Sequence, residues 1–122
     1  MAVFRLSASA EADIVSLLAW TENHFGELIR RRYEILLVTA LRDVADEPER
    51  AGSAARPELG PGVRSYHLRH SRERGRMMEG GIHKPRHVLL YRVIGPELIG
   101  IGRVLHDAIE VGQHLPPDYG DE

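Results

Sequence analysis

Apolar residues recur at steps of three and four along the first third of the chain, the pattern of two amphipathic helices. The first is predicted over residues 8–24, after Ser7, a residue type that caps helices, and it should stop at Gly26. The second continues the same steps to Asp46, where Pro48 prevents its extension. Because the link between them is so short, the two helices are expected to form an antiparallel hairpin.

Short runs rich in branched apolar residues predict four strands, at residues 3–6, 63–68, 86–94 and 98–105. The Gly- and Pro-containing stretch 49–62 is predicted to be loop, 107–114 to be a short last helix, and 115–122 to be a flexible tail. The chain is therefore expected to form one α+β domain over residues 1–122, in the order β-α-α-β-β-β. The helical hairpin should pack on one face of a small antiparallel sheet.

The two longest predicted strands, 86–94 and 98–105, carry apolar side chains on both faces. A sheet of that kind is normally covered on both sides, yet the chain supplies a single layer of helices. We therefore expect the open face, or a groove beside it, to bind another molecule.

The charges of the chain are unevenly distributed. The net charge is only −2, yet residues 64–92 hold seven Arg and one Lys against two Glu, a local net of +6. Such a segment indicates a basic surface for an acidic partner, whether phosphate or polypeptide. Within it, the basic segment (residues 69–84) is longer than a usual hairpin loop and shows no apolar periodicity. It is expected to be a mobile insertion that buries little.

Several chemistries find no support in the sequence. There is no Cys, which excludes disulfides and thiolate metal sites and favours a cytoplasmic location. The pairs His67/His70 and His83/His87 have zinc-like spacings, but no further ligand completes them, so no metal is expected. No nucleotide-binding loop is present and no cofactor is expected. No apolar run is long enough to span a membrane.

Four arginines, Arg64, Arg86, Arg92 and Arg103, fall on predicted strands, where a twisted sheet can gather several of them on one surface that holds phosphate. Each can instead pair with a carboxylate at a sheet edge. Trp20, the only tryptophan, lies at the border of the apolar stripe of the first helix. Packing against the second helix is the favoured interpretation, and an anchor for a partner is the alternative.

Three blocks of sequence together resemble the RelE/ParE superfamily of bacterial toxins. They are Arg5-Leu6-Ser7 leading into Ala10-Glu11-Ala12-Asp13, then Pro61-Gly62-Val63-Arg64-Ser65, and finally Arg103-Val104-Leu105-His106-Asp107. All three blocks are similar to the ParE branch, as is Ser65-Tyr66. This resemblance implies a toxin of a type II toxin–antitoxin pair that inhibits DNA gyrase, is neutralised by a ParD-like antitoxin and is not an enzyme.

The resemblance also implies where partners bind. We expect the antitoxin to lie across the helical hairpin and open sheet face, and the basic segment to contact gyrase or gyrase-bound DNA. The alternative, from the RelE branch, is a ribosome-dependent mRNA endoribonuclease in which Arg64, Arg103 and His106 supply cations and acid–base groups. The candidate antitoxin or target contacts are Trp20, Arg64, Tyr66, Arg86, Tyr91, Arg92 and Arg103.

Overall fold

The structure is a computed structural model that describes residues 2–76 and 80–108. Its elements, in chain order, are β1 (Val3–Leu6), α1 (Ala8–Phe25), α2 (Glu27–Asp46), β2 (Ser53–Ala55), β3 (Arg64–His67), β4 (His87–Gly95) and β5 (Leu98–His106), with short 3-10 helices at Pro57–Leu59 and Leu68–Ser71. Residues 109–122, where the sequence predicts a last helix and a tail, lie outside the described residues.

The helical hairpin forms as the sequence predicts. The hydroxyl of Ser7 accepts a hydrogen bond from the backbone N–H of Ala10 at 3.0 Å and so caps α1. Gly26 separates the two helices with a φ of 92°, a conformation that glycine adopts without the steric cost paid by other residues. Among the described residues, no helix is both long and apolar enough to cross a membrane.

The sheet has five strands in the order β1-β5-β4-β3-β2. The predicted α+β fold is confirmed, with two differences. First, β1 pairs with β5 in parallel, so the sheet is mixed and not purely antiparallel. Only strands joined by tight turns must be antiparallel, and β1 is joined to the sheet through the helices. Second, β2 lies within the predicted loop and pairs with β3, a short strand whose Ser and Ala residues carry no strand signal.

The core lies between the helices and one face of the sheet. Helix α2 is central and contributes Leu36, Leu37, Ala40 and Val44, whereas the sheet contributes Tyr66, Leu89, Tyr91, Ile99, Ile101 and Val104. Helix α1 buries fewer residues, namely Ala10, Leu17 and Thr21. Its later turns leave Trp20 and Phe25 54% and 60% exposed. Helix α1 therefore lies at the edge of the domain, and apolar side chains near its C-terminal end are exposed to solvent.

The start of the basic segment packs against α2, contrary to the expectation that it would bury little. Ser71 is fully buried, and a Cβ added to Gly75 would lie 3.0 Å from the Cα of Leu36. The Ser71 hydroxyl donates to the carboxylate of Asp43 at 2.6 Å. A buried carboxylate on α2 therefore fixes residues 69–76, a long-range contact that apolar periodicity does not reveal.

Asp43 is 2% exposed and also contacts two arginines, with its Oδ1 3.0 Å from Nε of Arg74 and 3.8 Å from Nη1 of Arg50. We predict that Asp43→Ala lowers the free energy of unfolding by about 3 kcal/mol, because Ser71 loses its buried acceptor and Arg50 and Arg74 lose their anionic partner. Asp46→Ala, on the exposed end of the same helix, should change it by less than about 0.5 kcal/mol. Urea denaturation of the two variants measures the difference, and equal stabilities would contradict the role of Asp43.

Candidate functional site: a groove along the edge of strand β5

Two of the predicted contact residues, Tyr66 and Tyr91, lie in the core. Both are 0% exposed. The hydroxyl of Tyr66 is 2.8 Å from Oγ of Ser71, and that of Tyr91 donates to the carbonyl of Pro48 at 2.6 Å. Buried phenols of this kind need a hydrogen-bond partner, and the protein supplies it internally. In this structure neither tyrosine presents a surface to another molecule.

The four strand arginines do not all share one face. Arg64 stands opposite Tyr91, on the face that packs against the helices, and its Nε donates to Oγ of Ser53 at 2.7 Å. Arg103 stands opposite Leu90. Because consecutive residues of a strand point to opposite faces, Arg64 and Arg103 lie on different sides of the sheet. Alternation along β4 places Arg92 on the same side as Arg103, the open face, and Arg86, which directly precedes β4, continues that alternation.

Arg86 and Asp107 form a bidentate pair on the open face. Guanidinium nitrogens of Arg86 donate to both carboxylate oxygens of Asp107 at 2.9–3.1 Å. Nε2 of His67 is 3.0 Å from the same carboxylate. His67 accepts from the backbone N–H of Arg69 through Nδ1, so it is Nε2 that donates to Asp107. Hydrogen bonds from Arg86, then from His67, hold the pKa of Asp107 well below its usual range.

Asp13 of α1 joins that helix to the edge of β5. Its two oxygens accept from Nε and Nη2 of Arg103 at 2.7 and 2.8 Å, and Oδ2 also accepts from the backbone N–H of Val104 at 2.9 Å. The hydrogen bonds to Asp13 raise the pKa of Arg103. Strand β1 pairs with β5 only as far as Ile101, so Asp13 takes the place of a neighbouring strand beyond that point.

A groove of about 960 Å³ runs along this edge, between α1 and residues 81–84. Four consecutive residues of β5, 103–106, line it, which is possible because a strand edge exposes both alternating sets of side chains. The apolar lining is Leu17, Trp20, Phe25, Ile29, Ile82, Val104 and Leu105, and the basic or imidazole lining is His83, Lys84, Arg86, His87, Arg103 and His106. We call this the β5 groove.

Trp20 forms part of an exposed aromatic cluster at the mouth of the β5 groove. Its ring stacks on His24 with centroids 4.0 Å apart and meets Phe25 edge-on at 5.8 Å. The favoured interpretation, packing of Trp20 against α2, is wrong, because the side chain is 54% exposed. The Trp20 ring contacts His24 and Phe25 of its own helix, and its solvent-exposed surface is available to a partner.

The floor of the groove contains a hydrogen-bonded Tyr33–His87 pair. The backbone N–H of Arg86 donates to the Tyr33 hydroxyl at 3.0 Å, which directs the hydroxyl proton to Nδ1 of His87, 2.6 Å away. Burial raises the pKa of Tyr33 to about 12. Burial also lowers the pKa of His87 to about 4, and the nearby His106 adds to this effect. At neutral pH both groups are therefore uncharged.

The residues proposed for ribonuclease chemistry are not brought together. Arg103 and His106 line the β5 groove, but Arg64 lies on the helix-facing side of the sheet at β3. The Arg103 guanidinium is engaged by Asp13. Within residues 2–76 and 80–108, no group of three His, Asp or Glu side chains is arranged to hold a metal ion. The groove thus offers apolar contact and positive charge more than an acid–base set.

Sequence reasoning missed Asp13, Ile82, Lys84 and His87 as groove residues. Asp13 follows Ala10 by three positions and precedes Leu17 by four. That spacing puts a carboxylate on the buried stripe of α1 and indicates a partner in the core. No comparable signal exists for Ile82 and Lys84, which line the groove only through long-range packing of the basic segment.

We predict that an NMR titration will give His87 a pKa near 4. Below pH 6.5, His87 binds a proton less readily in the folded state than in the unfolded state. The free energy of unfolding should therefore fall as the pH drops from about 6.5 to about 4, by at most about 3 kcal/mol. His87→Gln should flatten this part of the profile. The control is needed because burial lowers the pKa of His70 as well. A pKa for His87 near 6.5 would contradict the buried pair.

Comparison with known proteins agrees with the geometry. No curated protein matches the chain closely enough to count as a relative. The family described as "ParE toxin of type II toxin-antitoxin system, parDE" matches residues 4–110, which include both helices and, apart from Val3, the five strands of the described sheet. The match covers far more than half of the chain, and it ends only two residues after the last residue that the structure describes. The chain belongs to the ParE toxin family of type II toxin–antitoxin systems.

Proposed function

We propose that this toxin arrests bacterial growth by inhibiting DNA gyrase and that a ParD-like antitoxin neutralises it by binding in the β5 groove. Membership of the ParE toxin family implies an antitoxin partner. The single observation that carries the choice of surface is the β5 groove, an open apolar channel with a half-exposed tryptophan at its mouth. Surfaces of this kind are uncommon on monomeric proteins and mark sites of association.

The lining of the groove supports a particular antitoxin chemistry. Trp20, Leu17 and Ile82 provide contact area for apolar side chains, and Lys84 and Arg86 provide positive charge beside them. The fitting ligand is an amphipathic helix whose apolar side enters the groove and whose carboxylates face the cations, a helix-in-groove mode. The only carboxylate that lines the groove among the described residues is Asp13, and Arg103 already holds it.

The open face of the sheet is the proposed surface for the target. Arg92 projects from it, and Arg86 and Arg103 lie both on this face and in the groove. An antitoxin helix in the groove would therefore reach the border of the target surface. Arginine-rich faces suit an acidic protein surface or the phosphates of gyrase-bound DNA, which guanidinium groups contact through paired hydrogen bonds. Arg64 faces the helices and is not part of this proposal.

We predict that expression of this chain alone arrests bacterial growth and that co-expression of the small gene beside it restores growth. Purified protein should block supercoiling by DNA gyrase while mRNA in a translating extract stays intact. Growth at the normal rate with soluble toxin in the lysate would contradict the toxin function. Codon-positioned mRNA cuts that disappear in His106→Ala would instead identify a ribonuclease.

We further predict that Trp20→Ala weakens binding of the purified antitoxin by about 2 kcal/mol, roughly thirtyfold, because the half-exposed indole is the central apolar anchor. Val15→Ala is the matched control, since Val15 lies on the same helix, is 69% exposed and does not line the groove. Arg86→Ala should mainly slow association and reduce its salt dependence. Calorimetry measures the change in affinity, and stopped-flow measurements give the association rates. Equal affinities for the Trp20 and Val15 variants would exclude the groove as the antitoxin-binding site.

A further inference from the structure

The cations of the β5 groove outnumber the carboxylates that face it. Three lining residues, Lys84, Arg86 and Arg103, are cationic, and Asp13 is the one carboxylate among the described lining residues. Arg103 is paired with Asp13 and Arg86 with Asp107. Lys84 makes no hydrogen bond or ion pair in the described part of the chain and is exposed. An apolar channel with a free ammonium group at its rim suits a segment that is both apolar and acidic.

The chain itself contains such a segment. Residues 109–122 hold four carboxylate side chains and neither Lys nor Arg. Apolar residues are distributed among them, namely Ile109, Val111, Leu115 and Tyr119. The family match ends at residue 110, so most of this segment lies outside the matched residues. Its composition is complementary to the groove in both hydrophobicity and charge.

The attachment point favours contact with the groove. Leu105 and His106 line the groove, and Ala108, the last described residue, follows two positions later. The described residues that directly precede the acidic segment therefore lie beside the groove. A short tether gives an effective concentration on the order of millimolar, so even a segment of weak intrinsic affinity occupies the site much of the time.

We propose that residues 109–122 bind in the β5 groove of the same chain and compete there with the antitoxin. The binding of the segment stands on the groove and the sequence alone, whereas the competition rests on the proposed antitoxin site. Displacement of the segment reduces the apparent affinity of any other ligand by the fraction of time that the groove is occupied. The segment thereby sets how readily the toxin is neutralised and covers the exposed aromatic cluster when no partner is bound.

Trp20 reports directly on this contact, because it is the only tryptophan and lines the groove. Tryptophan emission and acrylamide quenching are measured for the full chain and for a variant that ends at Ala108. The expected result is a red-shifted emission and stronger quenching in the shortened protein, and reversal of both by a synthetic peptide of residues 109–122. Identical emission and quenching in two folded proteins, with no response to the peptide, overturns the proposal.

A full-length variant covers the case in which the shortened protein fails to fold. Glu110→Gln, Asp118→Asn, Asp121→Asn and Glu122→Gln together remove the charge of the segment and leave the chain length unchanged. Trp20 should become more open to acrylamide, as it should in the single variant Lys84→Ala. Arg42→Ala, on the exposed outer side of α2, is the matched control and should leave quenching unchanged. If the quenching of Trp20 depends on protein concentration, the segment binds in the groove of a second copy of the chain, which would contradict the proposal.

Competition is tested with a peptide that copies the C-terminal helix of the adjacent antitoxin. If the segment occupies the groove at a millimolar effective concentration with an intrinsic Kd near 0.1 mM, removing it should tighten peptide binding roughly tenfold. A fluorescence change on truncation without tighter peptide binding would place the antitoxin elsewhere and leave the segment in the groove. If the peptide binds tightly, and truncation changes neither its affinity nor the fluorescence, the groove remains the antitoxin site and the binding of residues 109–122 in it is contradicted.

Discussion

The structure depends most on one carboxylate, that of Asp13. It accepts two hydrogen bonds from Arg103 and one from the backbone of Val104, which connects α1 to the edge of β5 where β1 no longer pairs with it. With 15% of its side chain exposed, the carboxylate is screened only partly by water, so the charge-assisted bonds retain much of their strength. The hydroxyl of Ser7, which caps α1, also donates to the carbonyl of Gly102 at 2.8 Å, so both contacts attach the wall of the β5 groove to the sheet.

This arrangement divides the surfaces of the toxin between two kinds of contact. The groove side is apolar, with a rim of cations, and suits a folded helix from an antitoxin. The open sheet face carries Arg86 and Arg92 and suits an acidic or phosphate-bearing target. Arg86 and Arg103 belong to both surfaces, because they lie on the open face and line the groove. One bound helix at the groove can therefore interfere with the target surface through contact at that border.

The helices and the central strands were predictable, because their signals are local. Helix caps, glycine and proline positions and apolar periodicity gave α1, α2, β4 and β5 to within one or two residues. Strand β2 was not predicted, because its three small residues carry no such signal. The parallel pairing of β1 depends on how the whole chain packs. The packing of residues 69–76 depends on Asp43, whose partners are 28 and 31 positions away.

The candidate site was predictable only in part, for the same reason. Arg86, Arg92 and Arg103 share a face as the strand positions suggested, whereas the register of β3, with Arg64 opposite Tyr91, places Arg64 on the other side. The exposure of Trp20 could not be read from the helical stripe, because it depends on where α2 and residues 81–84 lie. Periodicity assigns a face to a residue, but only the tertiary structure shows whether that face is covered.

The most direct test of the account is an NMR map of amide shifts when the antitoxin binds the isotope-labelled toxin. We predict that the largest changes fall within residues 16–25, 81–84 and 103–106, around the β5 groove, and that the exposed side of α2 around Arg31 and Arg42 changes little. Changes centred on that side of α2, or on β2 at the far edge of the sheet, with an unperturbed groove, would contradict it.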